Sequence, residues 1–293
     1  MPEFPDITVY IAHLRRRIVG QVIRRVQVSN PFVLRTVNPP VATAEGATVT
    51  TVGNLGKRIV IGLDGDRYFV IHLMIAGRLR WRGPREKPPG KIALFSLVFD
   101  EGTVFLTEAG TKRRASVHFV DGRAALAALD PGGVDPFAVD EATFVKQLRE
   151  GNHTLKRALT DPRRFSGIGN AYSDEILHRA RLSPFALTGK IDDAEAGRLY
   201  HAVREVLTEW VERLSRETGD AFPEKVTAFH DEMAAHGRFG KPCPVCSAPI
   251  QRIVYAENEA NYCPRCQTGG RILADRALSR LLHDTWPRHV DEL

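Results

Sequence analysis

Four cysteines, the only ones in the chain, carry the least ambiguous chemistry in the sequence. They form two short pairs, Cys243-Pro-Val-Cys246 and Cys263-Pro-Arg-Cys266, with sixteen residues between them. Each pair places two thiolates on one tight turn, and four thiolates fill the tetrahedral shell of a closed, structural zinc site. Two disulfides are the alternative, but four cysteines in 293 residues without a signal peptide are no disulfide scaffold. We therefore expect one structural zinc ion.

The residues between the cysteine pairs predict a zinc ribbon built on a β-hairpin. Ile250–Tyr255 alternate in part between apolar and polar side chains, and Asn258-Glu259 falls where the hairpin should turn. A stapled hairpin buries little by itself, so its tip is expected to contact a partner. Nucleic acid, protein and bracing of the fold all stay open as its role.

The amino terminus supplies a second reactive group if Met1 is removed, as is common before proline. The chain then begins with the secondary amine of Pro2. An α-amino group has a pKa of about 8, against about 10.4 for lysine, so much more of it is uncharged at neutral pH. Such an amine can attack an electrophilic carbon and form an iminium, and Glu3 beside it can move protons. An ordinary amino terminus that leads into a helix is the alternative, and these two residues alone favour it.

Length and charge narrow the class of protein. The chain is 43% hydrophobic, has 41 Lys and Arg against 35 Asp and Glu, and has a pI of about 9.3. Its 293 residues favour two domains plus the ribbon, and the modest basic excess favours a polyanionic partner. No apolar run approaches the ~18 residues of a membrane span. Because its thiols are assigned to metal, we expect the protein to be cytoplasmic and not secreted.

The predicted secondary structure that positions these groups changes along the chain from strands to helices. Asp6 can cap a first helix that ends at Gly20. Short runs rich in β-branched residues follow between turn signals, and they predict an antiparallel sandwich or barrel. These runs are Val22–Val28, Arg58–Leu63, Tyr68–Leu73, Ala93–Phe99, Thr103–Leu106 and Ser116–Val120. After a linker at Asp130–Pro136 the pattern turns helical, with a long amphipathic helix near residues 191–217.

Three motifs in one order resemble a known family. They are Met-Pro-Glu-x-Pro-Asp at residues 1–6, Gly-Ile-Gly-Asn-x-Tyr at residues 167–172 and the four-cysteine ribbon. The chain resembles the formamidopyrimidine-DNA glycosylase/endonuclease VIII family of base-excision repair enzymes, to about Gln267. The resemblance implies an α+β multidomain fold. Its parts are an N-terminal antiparallel β-sandwich (1–130), a helical helix–two-turns–helix domain (131–235) and a C-terminal zinc ribbon (236–268). The sequence itself adds a C-terminal helical extension (269–293).

The resemblance also implies a mechanism and the residues that carry it. Pro2 attacks the anomeric carbon of the sugar and displaces a damaged base, while Glu3 protonates the sugar ring oxygen. Elimination at the 3′ and then the 5′ phosphate nicks the strand. Lys57 and Asn170 match family residues that contact DNA phosphates, and Glu175 matches a glutamate near the flipped base. A surface lysine is the alternative for Lys57, and an exposed helical glutamate is the alternative for Glu175. A helix cap by Asn170 is compatible with phosphate binding.

The sequence departs from the family pattern at the residues that fill the space left by a flipped base. Family members that excise oxidised purines use a Met, an Arg and a Phe there. Here Met74 is shifted by one position and Ile75 stands at the wedge position. Arg113 and Arg114 match the basic part of the second segment and are expected to face DNA, but Ala115 replaces the aromatic residue.

Two further departures concern the ribbon and the lesion. Asn258 stands where the family has an arginine at the ribbon tip, and the stretch from Phe222 to Phe229 is shorter than the purine-clamping loop. Unstacking a base costs a few kcal/mol, which wedge residues compensate by filling the hole. The resemblance therefore implies the type of reaction but does not indicate which lesion is excised.

The residues after Cys266 continue beyond the usual end of the family. Leu273, Ala277, Leu278, Leu281 and Leu282 predict an amphipathic helix that docks on its own fold.

We therefore expect a monomeric, bifunctional DNA glycosylase and abasic-site lyase with one structural zinc ion. Its partner would be damaged double-stranded DNA, with single-stranded or abasic DNA as alternatives. A narrowly specialised abasic-site lyase and a non-catalytic damaged-DNA binder with the same fold stay open. The Pro2-Glu3 pair argues against the binder, since binding alone needs no N-terminal secondary amine.

Overall fold

The computed structural model describes residues 1–224, 226–227, 229–255, 258–274 and 287–293, with only the backbone of Asn258. The chain divides into two compact units. The first unit is Met1–Pro131 with Trp210–Thr227, and the second is Gly132–Glu209 with Ala228–Leu293. The chain thus returns to the first unit at Trp210, after most of the long helix. The domains predicted from the sequence are consecutive segments and do not include this return.

The first helix, α1, spans Phe4–Ile18 and opens the first unit. Its N-cap is Glu3, and the carboxylate of Asp6 in the first turn accepts the backbone N–H of Glu3 over 2.8 Å. The expectation that Asp6 caps the helix is therefore wrong by three residues: Asp6 lies inside the first turn and bonds back to the cap. The apolar face of α1 is buried, with Ile7 and Leu14 fully enclosed.

Eight strands of the first unit form two antiparallel sheets of four, which confirms the predicted sandwich. The sheet orders are β1-β6-β7-β5 and β2-β3-β4-β8. The strands are β1 (Arg25–Val28), β2 (Val49–Leu55), β3 (Arg58–Leu63), β4 (Arg67–His72), β5 (Gly77–Arg82), β6 (Ala93–Phe99), β7 (Gly102–Glu108) and β8 (Ser116–Asp121). Phe69 of β4 faces Phe119 of β8 in register, and the two rings stack with centroids 4.4 Å apart. A short helix, α2 (Arg123–Ala127), follows β8.

The second unit contains the helices that follow α2 and the ribbon. Its helices are α3 (Glu141–Arg149), α4 (Leu155–Thr160), α5 (Asn170–Ala180) and most of α6 (Asp193–Thr218). The ribbon hairpin consists of β9 (Gln251–Tyr255) and β10 (Asn258–Tyr262), paired antiparallel, and α7 (Pro264–Thr268) follows it. The apolar residues of α6, including Leu199, Val203 and Leu207, are buried as the sequence predicts.

The segment beyond the ribbon is described only at its two ends. Arg271 and His289 form an isolated antiparallel bridge, and Val290 packs into the small core of the ribbon. The predicted amphipathic helix rests on Ala277, Leu278, Leu281 and Leu282, which lie outside the described residues. Within the described part of the chain, no helix has the length and apolar character needed to cross a membrane.

Candidate active site and zinc centre

The amino terminus lies against the sandwich in a buried, charged environment. Pro2 is buried and Glu3 is only 2% exposed. With Met1 attached, burial lowers the pKa of the terminal amine, Glu3 opposes this shift, and the positive charge of Arg78 adds to it. A lowered amine pKa increases the uncharged, nucleophilic fraction at neutral pH. The surroundings therefore suit an amine that must react as a nucleophile.

Asp6 lies beside the amino terminus. The sequence had assigned it only to helix capping. Burial raises the pKa of its carboxyl to about 7, and the hydrogen bond from the Glu3 backbone opposes the shift. Its carboxyl fixes the backbone of Glu3 at the helix start. Asp6 thus positions the residue predicted to protonate the sugar.

Asp6→Asn is expected to remove a pH-dependent part of the stability. Because the folded pKa lies above the ordinary value, the folded protein holds a proton that the unfolded chain releases between those two values. The stabilisation is complete below pH of about 4 and is lost as pH rises through about 7. Thermal unfolding from pH 4 to pH 8 should therefore show the parent losing stability relative to the variant. A difference between the two proteins that does not change with pH would contradict this.

Lys57 lies near Glu3, on the turn between β2 and β3. Burial lowers the pKa of its ammonium group, and the negative charge of Glu3 opposes the shift. Lys57 in turn contributes to the lowered pKa of the terminal amine. The structure therefore brings together Pro2, Glu3 and Lys57, although more than fifty positions separate Lys57 from the other two in the sequence.

His72 and Arg78 belong to the same surroundings and were missed by sequence reasoning. Burial lowers the pKa of His72 to about 4, and the positive charges of Arg58 and Lys57 add to the shift. The ring is therefore neutral at pH 7. The one sequence signal for Arg78 was its place in the alternating series Arg78, Arg80, Arg82, which predicts a shared strand face.

The predicted wedge residues lie on the tight turn between β4 and β5. The backbone N–H of Gly77 donates to the carbonyl of Leu73 over 2.9 Å, and a Cβ on Gly77 would lie 2.2 Å from that oxygen. Met74 has a φ of 55°, in the left-handed region that non-glycine residues seldom adopt. This turn leaves Ile75 58% exposed, so its side chain is free to contact a partner.

Arg113 and Arg114 lie on an exposed loop that one buried carboxylate holds in place. Glu108, only 2% exposed, accepts the backbone N–H groups of Arg114 and Ala115, each over 2.9 Å. Ala115 itself is buried in the sandwich core, at 3% exposure. The loop therefore presents two arginines, and its third residue faces the protein interior.

In the second unit, Asn170 is the first residue of α5. The N-cap is Gly169, so the expectation that Asn170 caps the helix is wrong by one residue. Gly167 before it has a φ of 82°, which a residue with a side chain would adopt only under strain. The Lys156 ammonium donates to the carbonyl oxygen of Asn170 over 2.9 Å and to Asp174 over 2.5 Å. Lys156 therefore fixes the first turn of α5.

Glu175 is buried, so the alternative of an exposed helical glutamate is wrong. Its carboxylate accepts the backbone N–H groups of Ala234, Ala235 and His236 over 2.7 to 2.9 Å. Glu175 therefore fixes the segment that leads into the ribbon.

Asp174 beside it binds both this segment and the ribbon. The ring nitrogen of His236 lies 2.8 Å from its carboxylate, and the side-chain amide of Asn261 donates a hydrogen bond to the carboxylate over 3.1 Å. Asn261 lies on β10, so α5 and the ribbon hairpin are joined through one buried carboxylate.

The four cysteines converge at the base of the ribbon. The sulfurs of Cys243 and Cys266 are 3.9 Å apart, and those of Cys246 and Cys263 are 3.3 Å apart. Zinc bound tetrahedrally by thiolates at about 2.3 Å places its sulfurs about 3.8 Å apart. The donor set and its spacing thus fit the predicted structural zinc ion.

His178 of α5 is a further residue of this centre that the sequence did not reveal. Its Nε2 lies 3.2 Å from the sulfur of Cys243, and the donor atoms of His178, Cys243, Cys263 and Cys266 all lie within 4.8 Å of one another. Because four thiolates already complete a tetrahedral shell, we assign His178 to donate a hydrogen bond to the Cys243 thiolate.

Comparison with known proteins finds relatives for each part of this arrangement. Residues 1–127 match the formamidopyrimidine-DNA glycosylase N-terminal domain. Residues 131–220 match the formamidopyrimidine-DNA glycosylase H2TH domain, and residues 240–269 match the zinc finger found in FPG and IleRS. A formamidopyrimidine-DNA glycosylase of Thermus thermophilus is 34% identical over 283 residues, covering 92% of this chain and 100% of that protein.

Solved structures agree with these matches. The MutM (Fpg) protein of Thermus thermophilus has a TM-score of 0.77 at 33% identity and covers 91% of this chain and 98% of its own. The Lactococcus lactis Fpg in complex with DNA containing an abasic site has a TM-score of 0.81 at 24% identity, with 91% and 99% covered, and shows the same fold.

The sandwich, the glycine–asparagine turn and the zinc ribbon define a zinc-containing DNA glycosylase of base-excision repair with abasic-site lyase activity. The chain belongs to the formamidopyrimidine-DNA glycosylase/endonuclease VIII family.

Proposed function

We propose that this protein removes damaged bases from DNA through the secondary amine of Pro2, exposed when Met1 is removed. The observation that carries the proposal is the buried start of α1, where the Pro2-Glu3 pair lies near Lys57 and Arg78. The amine nitrogen bonds to the anomeric carbon as the bond to the base breaks, and the base leaves with the proton that the nitrogen loses. Glu3 then gives its proton to the sugar ring oxygen as the ring opens to the iminium.

The DNA contacts in the proposal come from both units. In the first unit, Lys57 binds a phosphate near the reacting sugar, the loop of Arg113 and Arg114 contacts the backbone, and Ile75 with Met74 fills the space of the flipped base. In the second unit, the start of α5 at Asn170 binds a phosphate. Asn258, which lies in β10 and not in the predicted turn, contacts DNA from the ribbon.

We further propose that the protein acts as a monomer on damaged double-stranded DNA. Relatives with DNA in their solved structures hold abasic, oxidised-pyrimidine or Fapy-dG lesions. Because Ala115 replaces the aromatic wedge residue here, the lesion must be one whose base leaves the stack readily. Bases that are mismatched, ring-opened or non-planar meet that requirement.

Borohydride trapping tests the proposal. Borohydride reduces the iminium to a stable amine, so oligonucleotides with an abasic site, an oxidised purine or an oxidised pyrimidine should each yield a covalent adduct when they are substrates. We expect mass spectrometry of the adduct to locate it on Pro2 of a chain that has lost Met1. The substrates that trap will rank the lesions. Tight binding to the abasic duplex without any adduct would instead favour a non-catalytic damaged-DNA binder.

A further inference from the structure

A buried histidine lies at the zinc centre in addition to the four predicted ligands. His178 of α5 has its Nε2 3.2 Å from the sulfur of Cys243. A tetrahedral zinc ion that binds one thiolate at about 2.3 Å and one imidazole at about 2.0 Å holds the two donor atoms about 3.5 Å apart. The imidazole nitrogen is therefore already close to a ligand position.

The structure holds a second set of four donor atoms besides the four thiolates. These atoms all lie within 4.8 Å of one another, and they belong to His178, Cys243, Cys263 and Cys266. In this set the imidazole stands in place of the Cys246 thiolate. Three cysteines with one histidine form a closed structural zinc site, as four cysteines do. The second set is therefore chemically complete without Cys246.

The place of His178 beside the thiolates is fixed by bonds that do not involve Cys246. The side-chain amide of Gln267 in α7 donates to the carbonyl of Leu182, two residues after the end of α5, over 2.8 Å. The side-chain oxygen of the same glutamine accepts the backbone N–H of Cys263 over 2.8 Å. The end of α5 is thus joined directly to a cysteine of the second pair. Loss of Cys246 leaves these bonds in place.

Exposure decides which thiolates of the centre are open to oxidation. Cys243 and Cys263 are buried, whereas Cys246 and Cys266 are partly exposed. Thiolate oxidation follows exposure, so a hydroperoxide in solution reaches the second pair of residues more readily. One oxygen atom is transferred to the sulfur, which loses two electrons and becomes a sulfenate, and the rest of hydrogen peroxide leaves as water. Of the two exposed cysteines, Cys266 belongs to the second donor set and Cys246 does not.

We propose that His178 is a reserve ligand of the zinc centre, which replaces Cys246 when that thiolate is oxidised by a hydroperoxide or is removed. In the complete centre, the Nε2–H of the ring donates to the Cys243 thiolate. As a ligand, the ring binds through the lone pair of Nε2, which gives its proton to water while Nδ1 takes one up. The ribbon then keeps its metal with three thiolates and one imidazole. This role is independent of the reaction proposed at Pro2.

Single cysteine variants test the reserve ligand through the zinc content of the purified protein. Cys246→Ala should retain about one zinc ion per chain, because the second donor set is intact. Cys266→Ala is the matched control, since it removes the other partly exposed thiolate, which belongs to both sets. It should bind zinc at least about tenfold more weakly, and so should Cys246→Ala combined with His178→Phe. His178→Phe alone keeps four thiolates and should retain its zinc.

X-ray absorption at the zinc edge identifies the fourth ligand. The parent should show four sulfurs at about 2.3 Å, and Cys246→Ala should show three sulfurs and one nitrogen at about 2.0 Å. Zinc loss from Cys246→Ala that equals the loss from Cys266→Ala would overturn the reserve ligand. A light neighbour that persists at excess zinc after His178→Phe is added would also overturn it, because water would then fill the position.

Hydrogen peroxide applies the same test to protein that has folded with all four cysteines. Mass spectrometry measures the oxidation of each cysteine, and a chromogenic chelator measures the released zinc. Zinc release should lag behind oxidation of Cys246 in the parent and should match it in His178→Phe. Release in step with Cys246 oxidation in both proteins would contradict the proposal, as would zinc loss that precedes any oxidation of Cys246.

Discussion

Glu3→Gln should lower the rate of base release by about 10²- to 10⁴-fold, the range typical of a general acid–base group. Glutamine keeps the size of the side chain and its place as N-cap of α1, but it cannot transfer a proton to the sugar oxygen. Binding should change little, because Glu3 is buried beside the amine and is not expected to contact phosphate. The measurement is single-turnover release of a damaged base, with the affinity for the same duplex determined in parallel.

Pro2→Gly is the companion variant for the same reaction. It replaces the secondary amine by a primary one and frees the backbone at the start of α1, so base release should also be crippled while DNA binding is retained. A matched control is available at the chain ends. A short extension fused before Pro2 converts its amine into an amide, which is not a nucleophile. The same extension fused after Leu293 leaves the Pro2 amine free. Full turnover in both the Pro2→Gly and the Glu3→Gln variant would contradict the proposed mechanism.

Local sequence patterns predicted the parts of this protein that depend on neighbouring residues. The cysteine spacing predicted the ribbon because each pair lies on one tight turn, and the two turns meet in the structure, where the sulfurs of Cys246 and Cys263 are 3.3 Å apart. Runs of β-branched residues between turn signals in the first half predicted the sandwich, and helical periodicity in the second half predicted α6. The turn before Asn170 was visible through its glycines.

Contacts between distant residues were not visible in the same way. Glu175 was predicted to be near a base, but its carboxylate is bound to backbone N–H groups about sixty residues further along the chain. Arg78 bonds to Val226, and His178 to Cys243, across separations that no local pattern encodes. Polar groups taken out of water need partners wherever the fold supplies them, and one sequence does not show which partners those are.

Cys263→Ser, or removal of zinc by a chelator, should unfold the ribbon and weaken DNA binding by at least about tenfold. The ribbon's own core is small, formed by Cys243, Ala248, Ile250, Cys263 and Val290, so metal binding must supply most of its stability. In zinc-finger peptides that contribution amounts to about 10–16 kcal/mol. The sandwich of the first unit has its own large core and should remain folded. Metal analysis measures the loss of zinc, circular dichroism measures the unfolding of the ribbon, and a binding assay measures the affinity for DNA.

The loss should extend beyond the hairpin, because β10 is bonded to the helix that carries Asn170. Without the ribbon, the Asp174 carboxylate loses Asn261 while Lys156 stays bound to it at the start of α5. His178→Phe is the matched control: it removes the hydrogen bond to Cys243 but leaves all four thiolates, so we expect one zinc ion, near-parental affinity and faster loss of metal to a chelator. If Cys263→Ser binds DNA as tightly as the parent although it lacks zinc, the ribbon does not contact DNA. Phosphate binding would then rest on Asn170, Lys57 and the loop of Arg113 and Arg114.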